Sequence, residues 1–145
     1  MGLLRLAEAQ KTLEVSPDVS VMEAVRQMAA AKVGAIAVTT DRCIRGVFTE
    51  RDLMRRVVFA ERDPHDTRIA QVMTSPVETV SDSTSVAEAA AIMHARHIRH
   101  LAIVDAKGHF LALVAQRYLL YDLLSDLEVK VDSLEGFIMA DGPGG

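Results

Sequence analysis

The chain repeats itself. Residues Val15 to Asp52 (VSPDVSVMEAVRQMAAAKVGAIAVTTDRCIRGVFTERD) and Val80 to Tyr118 (VSDSTSVAEAAAIMHARHIRHLAIVDAKGHFLALVAQRY) align at a constant offset of 65. Val15 falls opposite Val80, Val21 opposite Val86, Glu23 opposite Glu88, Ala24 opposite Ala89, Met28 opposite Met93 and Ile36 opposite Leu101. Beyond the central loop the offset becomes 66, so that Arg51 aligns with Arg117. A duplication of this length fixes the architecture before any single residue is read. The copies disagree where polar chemistry is concentrated: Thr49 and Asp52 are replaced by Ala115 and Tyr118, and Gly46 by Ala112.

Each copy has the same order of elements. Asp18 or Ser20 can cap a helix whose apolar residues Val21, Ala24, Val25 and Met28 recur at helical spacing, with Glu23 three residues after Ser20. Ser83 or Ser85 and Glu88 repeat that logic. A short apolar run without helical period follows in each copy, Gly34 to Val38 and Leu101 to Val104, and reads as a buried strand. Turns are expected at Asp41 to Arg42 and at Asp105 to Gly108. A second strand (Val47 and Phe48; Leu111 to Val114) then leads into a helix beginning near Arg51 or Arg117. The fold class is therefore α/β (α+β), with strand, helix, strand, strand, helix occurring twice.

At 145 residues, half of them hydrophobic, the chain is long enough to bury a substantial core within one compact domain. A net charge of −4 and the lack of a basic stripe argue against a nucleic-acid surface, which needs clustered Lys or Arg. No segment approaches the roughly 20 apolar residues of a membrane span. The start MGLLRLAEAQ carries Glu8 too early for a secretory signal, so a cytoplasmic protein is expected. The single Cys43 cannot form an internal disulfide and reads as a plain loop thiol.

The segment GVFTERD, Gly46 to Asp52, carries the most chemistry. A strand ends there, Thr49 supplies a hydroxyl at the start of a helix, and Asp52 lies three residues on. Such a corner could accept both hydroxyls of a ribose at Asp52, while Thr49 and free N–H groups hold a phosphate. Equally, Thr49 and Asp52 have the spacing of a capping box.

The repeated unit, the strand ending in GVFTERDLM, the VMTSPV segment opening the second copy and HIRHLAIVDAKG ahead of its hairpin together resemble a tandem pair of CBS domains, the Bateman module. The similarity covers about residues 12 to 122. It implies two pseudo-symmetric repeats packed sheet to sheet: a first repeat at 12–58, a linker at 59–73, a second repeat at 74–122, a C-terminal helix at 119–139 and a flexible tail at 140–145. It also implies two clefts that bind adenine nucleotides or related adenosyl ligands, such as AMP, ADP, ATP, NAD or S-adenosylmethionine, as regulatory signals. In such modules the signature aspartate, here Asp52, usually grips the ribose, and the threonine, here Thr49, helps hold phosphate. Arg51 is similar to the basic residue often found near the phosphates. The base is usually enclosed by the partner repeat, whose matching residues are Ser75, Pro76 and Val77 with Ile98, Arg99 and His100. Gly34, at the matching position of the first repeat, would leave room for phosphates.

The second cleft departs from that pattern. Ala115 has no hydroxyl, and the phenol of Tyr118 cannot make a carboxylate's bidentate grip on a diol. Tyr118 either fills the cleft or stacks on the base of a differently placed ligand. His94, His97 and His100 recur every third residue, but no Cys or nearby carboxylate completes a metal set, so none is expected. Arg55 and Arg56 read as a solvated face, and the polar stretch ERDPHDTRIAQ, residues 61 to 71, as a connection between repeats.

No P-loop, nucleophile elbow, HExxH pattern or activated nucleophile is present in the sequence, which points to binding rather than turnover. At the C-terminal end, Leu120, Leu124, Leu127, Val131, Leu134 and Ile138 follow the spacing of a two-stranded coiled-coil seam. That helix either pairs in a homodimer, the commoner behaviour of the family, or folds back on its own module. An adaptor whose clefts are structural is the competing reading to a nucleotide sensor, and in both cases an effector protein is expected.

Overall fold

The computed structural model describes residues 2–10 and 12–127. It contains α1 (Leu3–Glu8), β1 (Glu14–Val15), α2 (Val21–Ala31), β2 (Ala35–Thr40), β3 (Cys43–Thr49) and α3 (Glu50–Asp52), which runs into a π-helical stretch, Leu53–Val58. The second copy follows with α4 (Ile69–Val72), β4 (Thr79–Ser81), α5 (Val86–Arg96), β5 (His100–Val104), β6 (Phe110–Ala115) and a helix α6 over residues 116–127. Of the two capping candidates in each copy, Ser20 and Ser85 cap α2 and α5, accepting from the N–H groups of Glu23 and Glu88 at 3.1 Å.

Each copy forms its own three-stranded sheet, in the orders β1-β2-β3 and β4-β5-β6. The first pair in each sheet is parallel, as a strand returning over a helix must be, and the second is an antiparallel hairpin. The β2–β3 turn is tight because Asp41 and Arg42 both take positive φ, 50° and 66°. The loop after β5 instead folds around Asp105, whose carboxylate accepts from the N–H groups of Lys107 and His109, with Gly108 at φ 82°. This longer loop is where the repeat offset slips by one.

Side-chain alternation along the strands builds three cores. Ile36 and Val38 of β2 face α2, packing with Val21, Ala24, Met28 and Phe48; Leu101 and Ile103 of β5 do the same with Val86, Ala89 and Met93. The residues between them, Ala37 and Ala102, face the opposite way and meet Val47, Phe110 and Leu113 between the two sheets. Both central strands are thus buried on both faces, which is why they read as unbroken apolar runs. Phe110 N–H also donates across to the Arg42 carbonyl at 2.7 Å, tying the hairpins together.

Each repeat is completed by a short helix from the chain leading into the other. Leu3 and Ala7 of α1 are buried in the core of the second repeat, whereas Ile69 and Val72 of α4 are buried in the core of the first. The polar stretch 61 to 71 therefore contributes Ile69 to the core of the first repeat, and Val72 follows immediately after it. On α6, Leu120, Leu124 and Leu127 are exposed. The rest of the expected seam, Val131, Leu134 and Ile138, and the tail 140–145 lie outside the described residues.

Candidate functional site

One continuous cavity of about 620 Å³ opens between the two repeats. Thr49, Arg51 and Asp52 of the first copy and Ala115 and Tyr118 of the second line it together, so both clefts expected from the sequence open into a single space. Pro76 and Val77, together with Ile98, Arg99 and His100, also line it. Ser75 does not: it is exposed, and its hydroxyl donates to the Arg45 carbonyl at 2.8 Å. The expectation that Ser75 faces the base is corrected accordingly, because the β3 backbone claims its hydroxyl.

Asp52 is 6% exposed and its carboxylate is already engaged. Oδ2 accepts from the Thr49 N–H at 3.1 Å while the Asp52 N–H donates to Thr49 Oγ1 at 3.1 Å, closing the capping box. The Thr74 hydroxyl donates to Oδ1 and Oδ2 at 2.9 and 3.1 Å, and Arg56 Nε lies 3.7 Å from Oδ1. A carboxylate has about four lone-pair sites. Asp52 thus caps its helix and still has acceptor capacity toward the cavity. A ligand diol bound there would share or exchange the Thr74 contact.

Thr74 was not singled out in the sequence, since its partner lies 22 residues away. It is placed by a backbone bridge to Val47, with N···O distances of 2.8 and 3.0 Å. Gly46 makes that bridge possible. A Cβ there would stand 2.5 Å from Met73 Sδ and 3.0 Å from the Thr74 carbonyl oxygen, so the glycine of the signature is needed for close approach. Arg56 is more than a solvated side chain, because its guanidinium donates to the Met73 carbonyl at 2.8 Å as well as facing Asp52. Gly34 also lines the cavity, and the Glu50 carboxyl group lies 3.2 to 3.3 Å from the position a Cβ would take there.

The cavity's charges are unevenly compensated. Glu78 is paired with Arg96, and Asp52 is held by Thr74 and Arg56. Arg51, Arg99 and Arg117 line the same space with Glu50 as the opposing carboxylate, so its balance favours an anion. Arg117 lies over the Tyr118 ring, 5.1 Å from its centroid. The repeat alignment could have identified Arg117, as the counterpart of Arg51. Gln10, which also lines the cavity, carries no such signal.

His100 lines this space half-buried, and its imidazole is held below its ordinary pKa of 6.5 by burial and then by Arg117, with Asp52 pulling the other way and Arg99 adding to the depression. Between the ordinary and the depressed value the unfolded chain binds the proton and the folded chain does not. His100 therefore costs stability as the pH falls below about 6.5, and the loss is absent above it. His100→Gln is expected to flatten the fall in urea midpoint between about pH 7 and pH 5. A parallel fall in the variant would show that His100 does not carry it. His94 lies on α5 and His97 is its left-handed cap, and no three His, Cys, Asp or Glu residues converge on a metal position among the described residues.

The CBS domain model matches residues 10–58 and 69–125. CBS domain-containing protein CBSCBSPB2 of Arabidopsis thaliana is 34% identical over 127 residues, covering 86% of this chain and 23% of the relative. The chain thus spans about a fifth of the length of this relative and of CBSCBSPB1 from the same plant. An uncharacterized 17.7 kDa protein of Acidianus ambivalens is 31% identical over 115 residues, covering 79% of this chain and 68% of the relative. Among solved structures, a protein with CBS domains from Burkholderia ambifaria superposes with a TM-score of 0.77 at 30% identity, covering 87% of this chain and 96% of the other. The CBS domain protein PAE2072 from Pyrobaculum aerophilum, complexed with AMP, superposes with a TM-score of 0.73 at 22% identity, covering 86% and 99%. CBS domain proteins are regulatory and signal-transduction modules. With two family matches falling on the two copies of its internal repeat, the chain belongs to the CBS domain family as a tandem CBS pair.

Proposed function

We propose that this chain is a regulatory sensor of an adenine nucleotide, acting by binding rather than catalysis. The observation that carries the reading is the joint placement, on one cavity, of a buried carboxylate at a helix start and the guanidinium groups of Arg51, Arg99 and Arg117. Asp52 holds the ribose diol, Thr49 and Arg51 lie toward the phosphates, and Pro76, Val77, Ile98, Arg99 and His100 enclose the remainder. The AMP carried by the Pyrobaculum protein supports this ligand class, within which AMP, ADP, ATP and NAD share the adenosine moiety. The setting is the cytoplasm, with neither nucleic acid nor membrane as partner; among the described residues no helix is long and apolar enough to cross a membrane.

The exposed Leu120, Leu124 and Leu127 of α6 favour a second role, self-association as a homodimer that presents the module to an effector protein. Calorimetric titration with AMP tests the sensor, with micromolar binding expected. No heat of binding together with a stable dimer by light scattering would replace the sensor by an adaptor.

A further inference from the structure

We propose that Thr74 is a specificity-determining residue that stands in for a ligand hydroxyl at Asp52. A ribose diol then binds only by turning the Thr74 side chain away, whereas a ligand offering a single hydroxyl binds with Thr74 in place. Thr74 thereby narrows the preference for ribonucleotides over 2′-deoxyribonucleotides. The inference rests on the sensor reading for Asp52 and goes beyond it in assigning to Thr74 a part in setting affinity and selectivity.

The acceptor capacity of Asp52 carries the argument. A carboxylate offers about four acceptor sites. Oδ2 accepts from the Thr49 N–H and from the Thr74 hydroxyl, both at 3.1 Å, and Oδ1 accepts from the same hydroxyl at 2.9 Å. The remaining site, on Oδ1, faces Arg56 Nε at 3.7 Å, which is too long for a hydrogen bond and leaves it open to another donor. One hydroxyl needs one such site, but a diol gripped by both oxygens needs two. The Thr49 N–H contact closes the capping box and cannot be surrendered without disturbing the helix start. The contact that yields to a diol is therefore the one from Thr74.

The surroundings suit Thr74 to this part. Its backbone is fixed by the bridge to Val47, at 2.8 and 3.0 Å, and the adjoining Met73 carbonyl is held by the Arg56 guanidinium at 2.8 Å. The hydroxyl is thus presented to Asp52 at little further cost in ordering, which makes it an effective competitor. Rotation about χ1 nevertheless moves it without moving that backbone. Thr74 is exposed and lines the cavity, so a hydroxyl turned from Asp52 reaches water instead of being buried without a partner. It brings one proton to two oxygens where a diol brings two, so the exchange still favours the diol, by one bond instead of two.

Thr74→Val removes the hydroxyl and keeps the shape of the side chain. AMP and 2′-deoxy-AMP, titrated separately by calorimetry, test the assignment. In Thr74→Val, AMP is expected to bind about tenfold more tightly, the lower end for one hydrogen bond to a charged group, and 2′-deoxy-AMP to stay within about threefold of its original affinity. Thr74→Ser keeps the hydroxyl and should keep the original ratio of the two affinities. AMP affinity unchanged or lowered in Thr74→Val, both ligands gaining equally, or Thr74→Ser shifting the ratio as valine does would overturn the competition while leaving the Asp52 grip in place. Absence of AMP binding to the unaltered protein would instead remove the sensor reading, and this inference with it.

Discussion

Asp52→Ala is expected to lower adenine-nucleotide affinity by about a hundredfold or more, the largest functional effect of any single substitution in the cavity. A buried carboxylate accepting two ribose hydroxyls makes charge-assisted bonds worth roughly 1.5 to 3 kcal/mol each. Part of that is offset, because in the unliganded chain the same oxygens accept from the Thr49 N–H and the Thr74 hydroxyl. What remains after that exchange is about 3 kcal/mol, which is the hundredfold. The substitution also removes half of a capping box, at a cost of roughly 0.5 to 2 kcal/mol in stability, so the titration belongs at a temperature where the variant is fully folded. Asp52→Asn separates the two roles. An amide oxygen can still accept from the Thr49 N–H, but it offers no charged grip on a diol. Stability restored with affinity still lost would assign the carboxylate to the ligand; affinity unchanged in both variants would leave Asp52 as a helix cap alone.

The duplication made most of the architecture legible. Its constant offset pairs Val21 with Val86, Ala24 with Ala89, Met28 with Met93 and Ile36 with Leu101, and each of these eight side chains is buried in its own repeat's core. Local rules were enough where local physics decides: Ser20 and Ser85 cap their helices, and Asp41 and Arg42 form the tight turn. What could not be read has its partners far away in sequence. Leu3 and Ala7 belong to the second core, yet a helix of six residues is too short to display a period. Thr74 meets Asp52 only because Gly46 lets the chain approach β3. The two clefts become one cavity because of how the repeats face each other, and spacing within a single repeat carries no information about that.

Ile69→Ala should cost roughly 2 to 5 kcal/mol of stability by urea denaturation. Ile69 is fully buried with Val15, Val21, Phe48 and Val57, although it sits in a stretch whose polar composition suggests a simple connection. Its backbone is fixed as well, with the Ile69 N–H donating to the Val19 carbonyl at 2.9 Å and the Ala70 N–H to the Pro17 carbonyl at 3.1 Å. The neighbourhood cannot easily collapse into the space left behind, so the transfer loss and the cavity term both apply. Against a total stability of roughly 5 to 15 kcal/mol for a domain, that is a large fraction. The exposed Arg62, in the same connecting stretch, supplies the control: Arg62→Ala should stay within about 0.5 kcal/mol. Because Arg56 bonds the Met73 carbonyl and Thr74 bonds Asp52, loosening α4 also loosens the Asp52 end of the cavity. Nucleotide affinity should therefore fall in Ile69→Ala even where the chain remains folded. A loss no larger than that of the control would mean that α4 merely joins the repeats, and the exchange of helices between the two cores would then contribute nothing to holding the site together.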